Sequence, residues 1–195
     1  YEESSANLIN MNKYKNYFDF VITSPPYGDS HTTVAYGQFS RLMNEWLGMP
    51  KPNQVDRKLL GGVKSKEEDY SFDIPVLDKI LDEIKINDEK FKNKRFPDVI
   101  SFYKDYFETI EAVSNSVKSG GYIVYVVGNR RVRNVELPTD EITIEMFSKF
   151  GYNHIKTIIR DIPNKRMPSK ASPENSKGGQ ISTMMNEYIV IMKKG

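Results

Sequence analysis

Residues Phe18 to Ser30 read F-D-F-V-I-T-S-P-P-Y-G-D-S. The segment opens on an apolar run, Phe18, Phe20, Val21 and Ile22, broken only by Asp19. Such a run predicts a strand buried on both faces of a parallel sheet. Thr23 and Ser24 then lead into Pro25 and Pro26. The proline rings fix φ and their nitrogens carry no N–H, so the strand has to stop there. The carbonyls of this stiff unit stay free and aim at whatever lies ahead of the strand. Tyr27 adds a flat ring and a hydroxyl, and Gly28 lets the backbone turn. In open α/β sheets ligands bind beyond the carboxyl ends of the strands, where this segment falls.

Such a loop suits a planar group bearing an exocyclic amine. The Ser24 hydroxyl and the Pro25 carbonyl accept its N–H hydrogens and make the nitrogen more nucleophilic, while the Tyr27 ring grips the face of a base. With Thr23 before it, this S-P-P-Y stretch resembles the catalytic motif of the DNA amino-methyltransferases, which methylate cytosine N4 or adenine N6. The run from Ser24 to Leu47 is also similar to bacterial and archaeal members of that family. The serine form resembles the cytosine-N4 group, since the adenine group more often carries Asp or Asn there. The resemblance implies S-adenosylmethionine as cofactor, double-stranded DNA as substrate and a restriction-modification setting. It implies Ser24, Pro25, Pro26 and Tyr27 as catalytic residues, with Thr23 beside the cofactor. The implied fold is α/β, a class I or Rossmann-like sheet, mostly parallel with an antiparallel strand near the C-terminus. Pro-Pro-Tyr by itself also serves as a ligand for small aromatic-grooved modules. The strand before it and Gly-Asp after it favour the methyltransferase.

Composition narrows the field. The 195 residues, 38% hydrophobic and 28% charged, suit one domain large enough to bury a core. No apolar run reaches the roughly 18 residues of a membrane helix, and no signal peptide is visible over the first ten residues, as expected of a cytoplasmic protein. Cys 0 excludes a disulfide framework, a thiolate metal site and the cytosine-C5 reaction, which needs a Cys nucleophile. The two histidines, His31 and His154, show no metal-ligand spacing. A net charge of +2 does not by itself argue for nucleic acid, so local clusters have to.

From Tyr36 onward Phe39, Leu42, Met43, Trp46 and Leu47 recur at helical spacing, which predicts a core-packing stripe stopped by Gly48. Residues 49–96 break the α/β rhythm and read as an inserted excursion, largely helical after Pro75, either solubilising or touching DNA. From Pro97 the apolar residues Val99, Phe102, Tyr103, Tyr106, Phe107, Ile110, Val113 and Val117 predict a long helix, ended by Gly120-Gly121. Tyr122 to Val127 is a second buried strand, parallel to the first. Arg130, Arg131 and Arg133 follow at the carboxyl edge, where they would meet phosphates or form ion pairs with the excursion. Thr139 is a candidate N-cap for the next helix, and His154 to Ile159 a third strand. The stretch Arg160 to Thr183 is long and irregular, with Lys165, Arg166 and Lys170 as further candidate DNA contacts. Asn186 to Met192 is a last strand, antiparallel because no helix precedes it.

No Gly-rich strand–turn–helix stands upstream of Phe18. Gly61-Gly62 and Gly178-Gly179 lack a strand before them. The sequence therefore reads as a catalytic half, with the cofactor half expected from a missing N-terminal segment or a second polypeptide. The sequence opens on Tyr1 without an initiator Met, which reads as a piece of a longer chain or a processed form. Two rivals stay open: an RNA or tRNA amino-methyltransferase, and a non-catalytic half that binds DNA or a partner.

Overall fold

The computed structural model describes residues 14–28, 36–67, 69–162, 170–171, 181–182 and 186–195. In chain order the elements are β1 (Phe18–Thr23), α1 (Tyr36–Trp46), a 3-10 segment (Pro52–Lys58), α2 (Pro75–Asp88), α3 (Phe96–Ser116) and β2 (Val117–Val127). Then come β3 (Arg130–Val132), β4 (Val135–Leu137), α4 (Thr139–Ser148), β5 (Tyr152–Asp161), β6 (Lys170–Ala171), β7 (Ile181–Ser182) and β8 (Asn186–Lys194).

The main sheet has the order β1-β2-β8-β5. β1 runs parallel to β2, with Phe20 opposite Tyr122 and Ile22 opposite Val124. β8 lies antiparallel to both of its neighbours, β2 and β5. The expected crossover and the antiparallel last strand are both present, and the fold is α/β with a mixed sheet. β3 and β4 form a separate hairpin.

One face of the sheet is closed. Ile123, Tyr125, Val127, Val190 and Met192 point into the core, and period-2 alternation puts their neighbours on the other side. α3 supplies the opposing wall with Val99, Phe102, Tyr103, Tyr106, Ile110 and Val113, and α4 adds Ile142, Met146 and Phe147. Aromatic edges meet here: Tyr125 and Phe147 cross at 4.9 Å, Phe147 and Tyr152 at 5.2 Å. The buried Tyr106 hydroxyl shares a 2.8 Å hydrogen bond with Thr143 Oγ1. Burial pushes the Tyr106 and Tyr125 phenols above the ordinary tyrosine range and takes Tyr152 up to about 12.

α2 belongs to this closed side as well. Leu77, Leu81 and Ile84 are buried along it, so the second half of the supposed excursion packs into the core. Its last residue, Asp88, is 2% exposed. The Asp88 carboxylate accepts from the backbone N–H groups of Arg95 and Phe96 at 2.7 and 2.8 Å and from Arg133 Nε at 2.5 Å. It thereby satisfies donors that the first turn of α3 leaves open.

The opposite face is uncovered by any described helix. Phe20 and Ile22 are 62% and 64% exposed, so β1 is not buried on both faces as its apolar run predicts. Leu42, Met43, Trp46 and Leu47 are also exposed, so the helical stripe of α1 does not pack as core. Both corrections have one cause: hydrophobic periodicity announces that a face needs cover and does not say which segment supplies it.

The end of α3 differs too. The helix stops at Ser116 and β2 begins at once, so Lys118, Gly120 and Gly121 lie in the strand. Gly120 takes φ +75° where the β1–β2 register slips. A side chain on Gly121 would lie 2.6 Å from Val117 Cγ1 and 2.8 Å from the Asp19 carbonyl. The glycine pair makes a strand bulge and a close approach, two jobs besides helix termination that the residue serves. No described helix is long and apolar enough to cross a membrane.

Candidate active site

Thr23 closes β1 half-buried, opposite Tyr125. The chain then leaves the sheet: Ser24 is exposed, Pro25, Pro26 and Tyr27 are half-buried, and Gly28 is buried. The diproline corner thus stands at the carboxyl end of β1 with the serine outward. The same edge carries the end of β2, the end of β5 and, because β8 is antiparallel, its beginning.

Tyr27 is tied across that edge. Its hydroxyl donates to Glu187 Oε1 at 2.8 Å. Glu187 sits at the start of β8, directly opposite Arg160 of β5. Arg160 Nε donates to Glu187 Oε2 at 3.0 Å, and its Nη2 reaches the same oxygen. The Arg160 guanidinium, followed by the Tyr27 hydroxyl, holds the Glu187 carboxyl below its usual range. Glu187 therefore stays an ionised acceptor. Neither Glu187 nor Arg160 is a predicted site residue. Their one sequence signal is position: each lies at a strand end on the edge that carries Ser24 to Tyr27.

The arginine cluster is a turn with a structural duty. β3 and β4 are joined by Arg133 and Asn134, both at positive φ, 51° and 66°, the geometry of a tight two-residue hairpin. The Arg133 side chain is 1% exposed and pairs with Asp88, with its guanidinium 3.8 Å from the centre of the Phe91 ring. It therefore meets the excursion rather than presenting a charge to phosphates. Arg130 is half-buried over Phe102 at 5.5 Å. Arg131 is exposed and pairs with Glu136 at 2.7 Å. Asn129 bonds Asp140 of α4 through its side-chain amide at 2.9 Å, while Pro138, not Thr139, occupies the N-cap position. Lys165, Arg166 and His31 lie outside the described residues, and of Lys170 the described part is its backbone in β6. His154 is exposed on β5 and bonds Thr157 Oγ1 at 2.9 Å. Among the described residues no cluster of three or more His, Cys, Asp or Glu side chains suits a metal ion.

Among the described residues β1 pairs on one side alone, with β2, and no Gly-rich strand–turn–helix adjoins its other side. Gly61 donates its N–H to Asp105 Oδ2 at 2.8 Å, an internal contact rather than a phosphate or nucleoside cradle. A shallow cavity of about 570 Å³ lies on the open face, lined by Asp19, Phe20, Lys118, Tyr122, Val124 and Ile191 among others. It sits toward the amino ends of β1 and β2, away from Ser24.

A scan against protein-family models matched none. Among solved structures, TTHA0409 of Thermus thermophilus, provisionally assigned as a DNA modification methylase, aligns over 97% of this chain and 50% of its own. The identity is 16% and the TM-score 0.46. The same protein solved with S-adenosyl-L-methionine aligns over 50% of this chain and 38% of its own, at 23% identity and a TM-score of 0.35. Among curated proteins, the type II methyltransferase M.MvaI of Kocuria varians is 41% identical over 186 residues, 90% of this chain. The chain spans 40% of that relative's length. Similarity to a type II methyltransferase sustained over nearly the whole chain, together with the S-P-P-Y corner at the carboxyl end of β1, relates this protein to the type II methyltransferases.

Proposed function

We propose that this chain is the catalytic half of a site-specific DNA methyltransferase of the class I, Rossmann-like kind, acting on the exocyclic amine of a flipped base, cytosine N4 first. The observation that carries the reading is the corner itself: an exposed Ser24 beside the Pro25 carbonyl, with the Tyr27 ring anchored at its hydroxyl end. A paired and stacked base keeps its amine out of reach, so the base has to leave the duplex. Tyr27 then stacks on it, and Ser24 and the Pro25 carbonyl accept from the amine, raising electron density on nitrogen. Holding the amine in line is the main contribution of these residues. S-adenosylmethionine supplies the methyl group.

The side of β1 that no described strand pairs supports a further part of the reading: the cofactor is held by another segment or polypeptide that pairs with β1 and covers Phe20 and Ile22. Lys165, Arg166, Lys170 and Arg131, which is exposed although paired with Glu136, are the proposed phosphate contacts, while Arg130 and Arg133 are turned into the fold. Adenine N6 is the second reading, because the corner would hold either amine.

Nucleoside mass analysis of DNA treated with the methylating enzyme tests the proposal. N4-methylcytosine is the expected product, N6-methyladenine would move the assignment to the second reading, and unmodified DNA would overturn it. Labelled S-adenosylmethionine is expected not to bind tightly to this chain alone; tight binding would refute the split between the halves.

A further inference from the structure

We infer that Glu187, braced by Arg160, is a positioning residue that sets the plane of the Tyr27 ring for base engagement. The inference rests on the reading of Ser24 to Tyr27 as the base-binding corner.

Tyr27 follows two prolines and has left the sheet, so the strand ladder does not fix it. Its ring is held at the far end of the side chain by the 2.8 Å bond to Glu187 Oε1. The acceptor is two strands away, beyond β2, and comes from the strand that reverses the sheet. The bond is charge-assisted and spans 160 residues of sequence, so it orients the loop against a rigid element rather than against itself. Glu187 is itself restrained. Its side chain is 15% exposed, against 61% for Arg160, and its second oxygen is taken by the guanidinium of its cross-strand partner. That leaves Oε1 for the phenol. With Arg160 beside it the carboxyl stays ionised, so Tyr27 is the donor. A base that stacks on a ring fixed at both ends meets one orientation. A base that meets a ring without that bond first has to order it. Unlike Ser24 and the Pro25 carbonyl, Glu187 is not assigned any contact with the base.

The test is a double-mutant cycle on the methylating enzyme, the chain together with the part that holds S-adenosylmethionine, with kcat and KM for unmethylated DNA. Y27F and E187A are each expected to lower kcat/KM about tenfold, the scale of one charge-assisted bond. In the Y27F background E187A should cost nothing further. E187Q, whose amide oxygen still accepts from the phenol, should recover most of the loss. A merely structural role for Glu187 predicts the opposite, an equal cost of E187A with and without the Tyr27 hydroxyl. That additivity, or an E187A variant with unchanged kcat/KM, overturns the inference. Should E187A fail to fold by its melting profile, E187D with Y27F completes the cycle, since the shorter carboxylate withdraws the acceptor while keeping the charge, and the same non-additivity is required. Wild-type enzyme that leaves DNA unmethylated overturns the proposed function, and this inference with it. Methylation that persists without coupling overturns the inference alone.

Discussion

The two faces of the sheet differ in what they have found to pack against. On the helix side Ile123, Tyr125 and Val127 are buried under α3 and α4. On the other side Phe20, Ile22 and Tyr122 face outward, 62%, 64% and 42% exposed, though they are as apolar as their neighbours. Parallel strands normally have both faces covered. The side chains alternate as strand geometry requires, and the difference lies in whether a described layer covers them.

Four experiments probe that contrast. The largest effect is expected at the closed side's polar anchor. Asp88→Ala removes the carboxylate partner of the buried Arg133 guanidinium and of the Arg95 and Phe96 N–H groups at the start of α3, and should cost about 3–5 kcal/mol of stability in denaturant melts. A loss under about 1 kcal/mol would mean the anchor is ornamental. Next, two isoleucines on adjacent strands and opposite faces can be compared directly. Ile123→Ala should cost about 2–5 kcal/mol, whereas Ile22→Ser should stay within about 0.5 kcal/mol. Equal costs would show that the open face is already covered in solution. Third, Ser24→Ala should slow methyl transfer roughly 10- to 100-fold with an unchanged melting profile; an unaltered rate would remove Ser24 from the chemistry.

The smallest effect is expected from alkali. Burial raises the Tyr106 and Tyr125 phenols and brings Tyr152 to about 12. A raised phenol stabilises fully below the ordinary tyrosine value of about 10 and loses that contribution as pH climbs through its folded value. The denaturant midpoint should therefore fall between about pH 10 and 12, and Tyr152→Phe should blunt the decline. A midpoint flat across that window would contradict the burial.

Much of the closed side was legible in the sequence because its signals are local. The 3.6-residue period of α3 and the unbroken run Tyr122 to Val127 each specify an element, and the absence of a helix before β8 foretells its direction. The diproline corner was legible for the same reason, since two prolines end a strand whatever surrounds them. Three features were not. The β3–β4 hairpin is hidden because Arg130, Arg131 and Arg133 read as a charged loop, while its tip depends on a remote carboxylate, Asp88. Gly120-Gly121 imitates a helix stop because a bulge and a close backbone approach ask for the same residue. Glu187 and Arg160 could not be paired with Tyr27 without the strand order, which brings β8 between β2 and β5.

The bare margin of β1 also bears on how the protein behaves in a tube. A row of N–H and C=O groups with no described strand beside it, flanked by exposed Phe20 and Ile22, is a template for any other extended chain. Purified alone and concentrated, the protein is expected to add strand to strand with copies of itself. Co-expression with the segment proposed to cap that margin should then raise soluble yield more than any change of buffer.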